Sequence, residues 1–527
     1  MSEKNIISID KNNTPADIVL MYPKTGLDVG GHTVAPPHSL LSVAAPVHKA
    51  GYKVKIIDMR RDYQWRETLK QSVSKDTICV GISTMTGTQL YFALLMAKEA
   101  RKLTERWGTP LIWGGAHPSI LPEQTVQHEL VDIVVIGEGD ETFSELVKAL
   151  ENKQPLNNIR GIAYKDGQII KKNILRPLIE DVNNLLPVPW ELIKVDDYIM
   201  QDNYFLKDSP RTLDIGQTSR GCPFKCAFCS SSSVLQKRWR AMSVERSLEA
   251  ILEPVKRFNL TGVWIRDDEF YVKNSRAFDI CKGIINSGYK ISWYATGSRV
   301  DSFNRASDEQ LDLLKRSGGK IMKLGAESGS DRILDMIKKG IHIEDTIKAN
   351  LRAKQYGIVP SYSFIVGFPT ESFEEINQTI DLAFRLQRDN PAAQLETFPT
   401  YTPFPGTPMW DLALKHGVKP PDRLEGWTDW IMDEYDIDGK KIPWFNSKER
   451  IWIGNISYLS ILANAVENVG KGIDSFLMKA IFLAGLVPMQ RYYRYRLKNK
   501  LYRGLPELAI ARFMRKKLFY QNEKNFR

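Results

Sequence analysis

Thr218-Ser219-Arg220-Gly221-Cys222-Pro223-Phe224-Lys225-Cys226-Ala227-Phe228-Cys229 sets three cysteines in a CxxxCxxC spacing on one short stretch. That spacing folds three thiolates around one iron-sulfur cluster. A cubane [4Fe-4S] cluster held by three thiolates keeps its fourth iron open for a substrate or cofactor. The alternative is a structural zinc site, because thiolates in short loops also bind that metal. Zinc usually takes four ligands in paired units, and the chain offers no such partner unit. The two other cysteines, Cys79 and Cys281, lie on an apolar strand pattern and a helix, and read as small buried hydrophobes.

Outward from this loop, apolar β-branched runs alternate with amphipathic stretches, the sign of βα units and parallel sheets. One series begins at Leu213, with the cysteine loop leaving its first strand. It continues through strand patterns at residues 262–266, 291–296, 320–326, 359–366 and 395–400. An earlier series, at residues 18–22, 53–57, 78–83, 110–113 and 133–136, makes a doubly wound domain of about 150 residues. At 527 residues the chain exceeds one compact core. The expected division is 1–182, a linker at 183–208 rich in Asn and Pro at its start, 209–410, and an accessory region at 411–527.

Doubly wound sheets bind ligands at the carboxyl ends of their strands. The loops there hold residues 26–37 with Gly30-Gly31, then Asp58-Met59-Arg60-Arg61-Asp62, Ser83-Thr84-Met85-Thr86-Gly87-Thr88, Gly114-Gly115-Ala116-His117-Pro118 and Gly137-Glu138-Gly139-Asp140. Small and hydroxylated residues let the backbone approach a large flat ligand and hydrogen-bond its amide periphery.

The cysteine motif, with Phe228 just before its last cysteine, resembles that of the radical S-adenosylmethionine (radical SAM) enzymes. The order of the earlier loops resembles the cobalamin-binding domain that precedes the radical SAM domain in one large subfamily. The resemblance implies an α/β protein. Its parts are an N-terminal doubly wound, Rossmann-like cobalamin-binding domain, a partial (β/α)6 TIM-like barrel, and a mainly helical C-terminal region. In such barrels the catalytic groups sit at the C-terminal strand ends.

By the same resemblance Cys222, Cys226 and Cys229 hold the cluster, whose open iron is chelated by the methionine moiety of S-adenosylmethionine. Glu327 and Ser328 would take polar groups of that cofactor, and Arg299 would pair with the methionyl carboxylate. Asp267 lies where the family exposes backbone to the methionyl amine, and Gly367 lies on the adenine-side loop. Ser83, Thr86, Thr88, Gly114, Gly115, His117, Gly137, Glu138 and Gly139 would face cobalamin. Each also has a plain structural reading. A Glu or Arg at a strand end is often salt-bridged, Asp267 or Asp268 can cap the next helix, and His117 can be a turn residue. The DxHxxG signature that supplies a histidine to cobalt is absent. The equivalent place reads Asp58-Met59-Arg60-Arg61-Asp62-Tyr63, so no histidine from this loop replaces the nucleotide tail.

The implied activity is methyl transfer to an unactivated carbon of a small-molecule or lipid substrate. It uses the [4Fe-4S] cluster, S-adenosyl-L-methionine, cobalamin and an electron donor such as flavodoxin or ferredoxin. An oxidative cyclase like that of magnesium-protoporphyrin monomethyl ester is the second reading, and a metal-stabilised membrane- or partner-binding scaffold the third. Methylthiotransferases need three more cysteines in the N-terminal domain, where only Cys79 exists.

The net charge of +11 is concentrated in residues 491–527, with twelve Lys and Arg against Glu507 and Glu523. The apolar stretch 476–487 before it is too short to span a bilayer. Together they fit peripheral contact with an anionic membrane at its inner face, or equally a buried helix under a solvated basic one. No nucleic-acid motif accompanies the arginines. The polar N-terminus and scarce cysteines point to a cytoplasmic protein. Trp427, Trp430, Trp444 and Trp452 read as the core of a small accessory domain.

Overall fold

The computed structural model describes residues 14–25, 35–201, 205–206, 208–430, 441–464 and 476–505. The Gly30-Gly31 turn and the basic tail beyond 505 lie outside the described residues, as do the side chains of 476–486. Two parallel sheets carry the architecture.

The first sheet comprises β1 (Ile18–Tyr22), β2 (Val54–Asp58), β3 (Cys79–Ser83), β4 (Leu111–Gly114), β5 (Ile133–Val135), β6 (Ile162–Asp166) and β7 (Ile169–Lys172). Its strand order is β2, β1, β3, β4, β5, β6, β7. Strands β1 to β5 are parallel, as their near-continuous apolar runs require of strands covered on both faces. In β1, Ile18 and Leu20 enter one core with Leu40, Leu41 and Phe143. Val19 and Met21 enter the opposite core with Leu90, Met96 and Trp113. The winding reverses between β1 and β3, and that switch point opens a crevice at the carboxyl strand ends. The antiparallel β6 and β7 were not expected from the sequence, because β7, Ile169-Ile170-Lys171-Lys172, shows no buried face.

The second region comprises β8 (Thr212–Asp214), the short β9 (Ser219–Arg220) and β10 (Arg240–Ala241), then β11 (Gly262–Ile265), β12 (Ser292–Ser298), β13 (Gly319–Glu327), β14 (Val359–Phe364) and β15 (Gln394–Leu395). Six of these form a parallel sheet in the order β15, β14, β13, β12, β11, β8, the six-stranded partial barrel. Along β13, Met322, Leu324 and Ala326 join the helix-covered core, which turns Gly325 and Glu327 to the inner face. The strand expected over 395–400 stops at Leu395, and only Thr400 bridges back to Val366. Pro399 has no N–H to give a ladder. The Phe398 backbone is bonded instead by Ser457 and Ser460 of the helix Ser447–Asn464.

Within the linker expected at 183–208, Trp190, Val195 and Tyr198 are packed into the barrel core. The tryptophans do not form a separate core. Trp427 and Trp430 pack with the first sheet's helices, while Trp444 touches both cores and Trp452 packs against the barrel's. Trp427 Nε1 donates to Gln124 Oε1 at 2.6 Å, and the Gly87 N–H donates to the Trp427 carbonyl.

Candidate functional site

The cysteine loop follows β8 and is enclosed by the paired strands β9 and β10, with Cys222, Cys226 and Cys229 lying between the two. Its base is fixed by Asp267 at the end of β11. One carboxylate oxygen accepts from the Thr218 and Ser219 N–H groups at 2.6 and 3.0 Å, the other from their hydroxyls at 2.8 and 2.6 Å. Asp267 therefore serves the loop with its side chain, and only its backbone is left to face a ligand. Asp268 accepts from the Gly221 N–H and the Ser231 hydroxyl. Gly221 has φ +82°, and a Cβ there would sit 2.0 Å from the Arg238 carbonyl oxygen, so glycine is required. Ala227 is clamped by bonds from its N–H to Ile337 O and from the Met409 N–H to its carbonyl.

Cys222, Cys226 and Cys229 are outside any disulfide and sit at half-buried positions. Burial pushes the Cys222 thiol up to about 12, and Glu269, Cys226 and Cys229 add negative charge to that effect. Three neighbouring thiolates can share one site only if a cation or cluster compensates their charge. Among the described residues no three His, Cys, Asp or Glu side chains meet around a single-ion position. A cubane is held at three separate irons, so its three thiolates need not converge on one ion.

Arg299, at the end of β12, points Nη1 at Cys226 Sγ, 3.5 Å away. Its Nε donates to Asp301, its Nη2 to the Lys339 carbonyl, and its guanidinium lies 3.9 Å from the Phe224 ring centroid. Glu327 ends β13 in a left-handed conformation, φ +63°, and accepts from Lys339 Nζ at 2.7 Å. Both are buried. Burial opposes the Lys339 charge, but Glu327 and Cys226 outweigh it and hold the ammonium above its ordinary value. Gly325 makes room for the pair, since a Cβ there would lie 2.3 Å from Glu327 Oε1 and 2.6 Å from Lys339 Nζ.

Two members of this group carry no sequence signal. Lys339 lies in a Lys-Lys-Gly run that reads as a solvated helix end. Glu269 is 2% exposed with Oε1 unpartnered among the described residues, and burial raises its carboxyl to about 7. Ser328 is turned inward, its hydroxyl beside Thr379 at 3.3 Å and accepting from the Ser330 N–H. Gly367, φ +89°, donates its N–H to Glu371, and its carbonyl accepts from Trp444 Nε1. Ser328 and Gly367 thus shape the strand ends through backbone and packing. Phe228, Phe368 and Tyr401 run side by side from the cysteine loop, with ring centroids 6.0 and 5.0 Å apart.

At the switch point of the first sheet lies a cavity of about 940 Å³. Ser83, Gly114, Gly115, Gly137, Glu138 and Gly139 line it from the strand ends, and Gly216, Arg220 and Arg266 from the barrel. Its size is at the upper end for small-molecule pockets. Its glycine-rich wall suits a bulky, amide-rich ligand, so the residues present fit a cobalamin tail. Arg266 and His38 flank Asp214 at 2.5 and 3.0 Å. Burial alone would raise the Asp214 carboxyl, but the Arg266 guanidinium and the hydrogen bond with His38 hold it at about 2.

Thr86, Thr88 and His117 do not line this cavity. Gly115, φ +100°, turns β4 directly into the helix Ala116–Ile120, which buries His117 under Trp427 at a centroid distance of 5.9 Å. Its Nδ1 pairs with Thr86 Oγ1 at 2.9 Å, and burial lowers the imidazole to about 4, so it is neutral. Thr88 begins the helix Thr88–Thr104. The Asp58-Met59-Arg60-Arg61 loop is closed on itself. Asp58 binds Arg60 at 2.9 and 2.6 Å and Tyr198 Oη at 2.9 Å.

The model of the radical SAM superfamily matches residues 217–383, and that of the B12 binding domain matches residues 31–147. An uncharacterized methyltransferase, PH0819, of Pyrococcus horikoshii is 36% identical over 389 residues, 73% of this chain and 80% of that protein. The anaerobic magnesium-protoporphyrin IX monomethyl ester cyclase of Cereibacter sphaeroides is 27% identical, over 74% of this chain and 62% of that protein. In fold, the chain resembles the cobalamin-dependent S-adenosylmethionine radical enzyme OxsB at TM-score 0.68 and 20% identity, over 96% of this chain and 75% of OxsB. It also resembles the methyltransferase TsrM of Kitasatospora setae at TM-score 0.66 and 15% identity, over 91% of this chain and 99% of TsrM. With a three-thiolate loop at the mouth of a six-stranded half-barrel and a switch-point cavity beside it, the chain belongs to the cobalamin-dependent radical S-adenosylmethionine enzymes, which work with a [4Fe-4S] cluster, S-adenosylmethionine and cobalamin.

Proposed function

We propose that this enzyme transfers a methyl group to an unactivated carbon of a small-molecule substrate. The observation that carries the proposal is the shared wall of the two sites: Arg220, two residues before Cys222, lines the cavity at the strand ends of the first sheet. Held at these two sites, the cluster with S-adenosylmethionine and an external one-electron donor would supply the hydrogen-abstracting chemistry, and cobalamin would supply the methyl group.

The chain's own part is positioning and exclusion. Cys222, Cys226 and Cys229 hold the cluster. Arg299 and Lys339 present positive charge beside Cys226 and are placed to orient a methionyl carboxylate, while Glu327 and Glu269 offer acceptors for hydroxyl or ammonium groups. Phe228, Phe368 and Tyr401 form an apolar wall that keeps water from the reacting carbon. Ser83, Gly114, Gly115, Gly137 and Gly139 cradle the cobalamin tail.

Relatives named as methylating enzymes support this reading, among them the hopanoid C-3 methylase of Methylococcus capsulatus, 24% identical. Oxidative cyclisation is the second reading, favoured by the cyclase relatives. The test is anaerobic reconstitution with iron, sulfide and hydroxocobalamin, then mass spectrometry of extracts given methyl-labelled S-adenosylmethionine. A product that gains the labelled methyl supports transfer; an oxidised, unlabelled one supports cyclisation. Cys226→Ala should abolish 5′-deoxyadenosine formation, and turnover in that variant would overturn the cluster assignment.

A flavodoxin or ferredoxin is the electron donor this chemistry needs. Peripheral membrane contact has support in the helix Phe476–Lys498. Tyr492 and Tyr495 are 49% and 60% exposed beside Arg491 and Arg496, while Tyr493 and Leu497 pack into the barrel core. No described helix is long and apolar enough to cross a membrane. Sedimentation with vesicles containing anionic lipid, against neutral vesicles, tests this contact.

A further inference from the structure

Arg220 reaches out of the barrel into the loop that follows β5. Its Nη1 and Nη2 bond the two Asp140 oxygens at 2.9 and 3.0 Å, Nη1 also reaches Glu138 Oε1 at 3.1 Å, and Nη2 reaches Ser42 Oγ at 2.9 Å. Arg240 is its register partner across the β9–β10 hairpin. Arg240 Nη1 lies 2.7 Å from Glu138 Oε2 and 2.7 Å from the Ile179 carbonyl, and the Ile179 N–H donates to Glu138 Oε2. The four charged side chains are 5–15% exposed. Both oxygens of Glu138, expected to contact cobalamin, are thus engaged by protein.

Two guanidiniums paired across a ladder repel unless carboxylates stand between them. A hairpin of two residues per strand has no stability of its own. The base of the cysteine loop is therefore held from two sides, by Asp267 within the barrel and by Glu138 and Asp140 from the first sheet. The distortion cannot be absorbed next door, because Gly221 is already pressed against Arg238. All four residues of that loop, Gly137 to Asp140, line the cavity with Arg220. One short loop thus touches the ligand space on one side and braces the first cluster cysteine on the other.

We propose that the Arg220–Asp140–Glu138–Arg240 cluster is a coupling joint between the two cofactor sites, through which occupation of the cavity and assembly of the cluster each strengthen the other. Arg220 and Glu138 are its positioning residues. The planar fork of arginine is needed, because it holds Asp140 with two parallel bonds while a third reaches Glu138; a lysine cannot do both. Binding linkage is reciprocal, so a joint of this kind makes cobalamin bind more tightly to cluster-loaded protein by the same factor that it favours cluster retention. The inference rests on the cofactor assignment above.

The experiment measures the hydroxocobalamin Kd by absorbance titration of full-length protein, anaerobically, with the cluster reconstituted and with the iron removed by chelation. The wild type should bind about tenfold more tightly when the cluster is present, within the usual range of coupling between sites. Arg220→Met and Glu138→Gln should bring the ratio close to one, and Arg220→Lys should keep only part of it. Release of iron to a chelator, followed with and without cobalamin, should show the same ratio. A wild-type ratio of one, with both cofactors bound, overturns the joint and leaves the family assignment standing. An unchanged ratio in Arg220→Met or Glu138→Gln overturns it as well. A wild type that binds neither cofactor overturns both the joint and the cofactor assignment. Since a wild-type ratio of one overturns the joint by itself, a variant that fails to fold does not shelter the proposal.

Discussion

Lys339→Met tests how the cofactor-facing end of the barrel is held together. Lys339 is 6% exposed and its ammonium lies 2.7 Å from Glu327 Oε1. Methionine fills nearly the same space and keeps the backbone carbonyl that accepts from Arg299. The loss is therefore electrostatic: Glu327, also 6% exposed, is left as a buried carboxylate without its cation. Breaking a buried pair on one side costs about 3–5 kcal/mol. In guanidinium chloride, with a slope of a few kcal/mol per molar, the midpoint of the barrel transition should fall by about 1 M. The double variant Glu327→Gln/Lys339→Met removes both charges and should recover at least half of that loss. The assay is equilibrium denaturation of reconstituted protein under anaerobic conditions, followed by tryptophan fluorescence. Because Lys339 also faces Cys226, the cluster potential in Lys339→Met should move to more negative values in an EPR-monitored titration. A single variant within 1 kcal/mol of wild type, or a double variant no better than the single, would refute the reasoning.

His117, whose folded value is lowered by burial to about 4, binds its proton more readily once unfolded. Its contribution is present above about pH 6.5 and is lost as pH falls toward 4. Stability should drop by about 2 kcal/mol between pH 7 and 5, and His117→Phe should flatten that dependence in denaturant titrations. Asp214, held at about 2, contributes roughly 2 kcal/mol above pH 4 that disappears as pH falls toward 2. Asp214→Asn should lose it at every pH, as acid-unfolding curves would show. Gly325→Ala places a methyl 2.3 Å from Glu327 Oε1 and should cost about 1–3 kcal/mol, with weaker S-adenosylmethionine binding in equilibrium dialysis.

Both sheets were legible because parallel strands buried on two faces leave uninterrupted apolar runs. Ile18–Tyr22 and Gly262–Ile265 fall within a residue of their expected bounds. The edges were not legible, because edge strands are decided by neighbours. β7 has no buried stripe of its own, and the strand at 395–400 is cut short by hydroxyls some sixty residues away, Ser457 and Ser460. The cysteines announced themselves by spacing alone, since one loop supplies all three. Arg299 and Glu327 drew notice because they stand at strand ends.

The residues that complete the site escaped for a single physical reason: their meaning is set by charge compensation across the fold, which leaves no local pattern. Lys339 reads as a surface lysine until Glu327, twelve residues earlier, is placed 2.7 Å away. Glu138 reads as a ligand contact until Arg220 and Arg240, about eighty and one hundred residues later, take both its oxygens. His117 shows the converse, a histidine in a glycine-rich loop at the carboxyl edge that is drawn inward by Trp427 from the far end of the chain. Position at a strand end is therefore a mark of a proposed cofactor contact in this fold, not a proof of one. It becomes sufficient only where the opposing charges of the other sheet leave the side chain free to face the ligand.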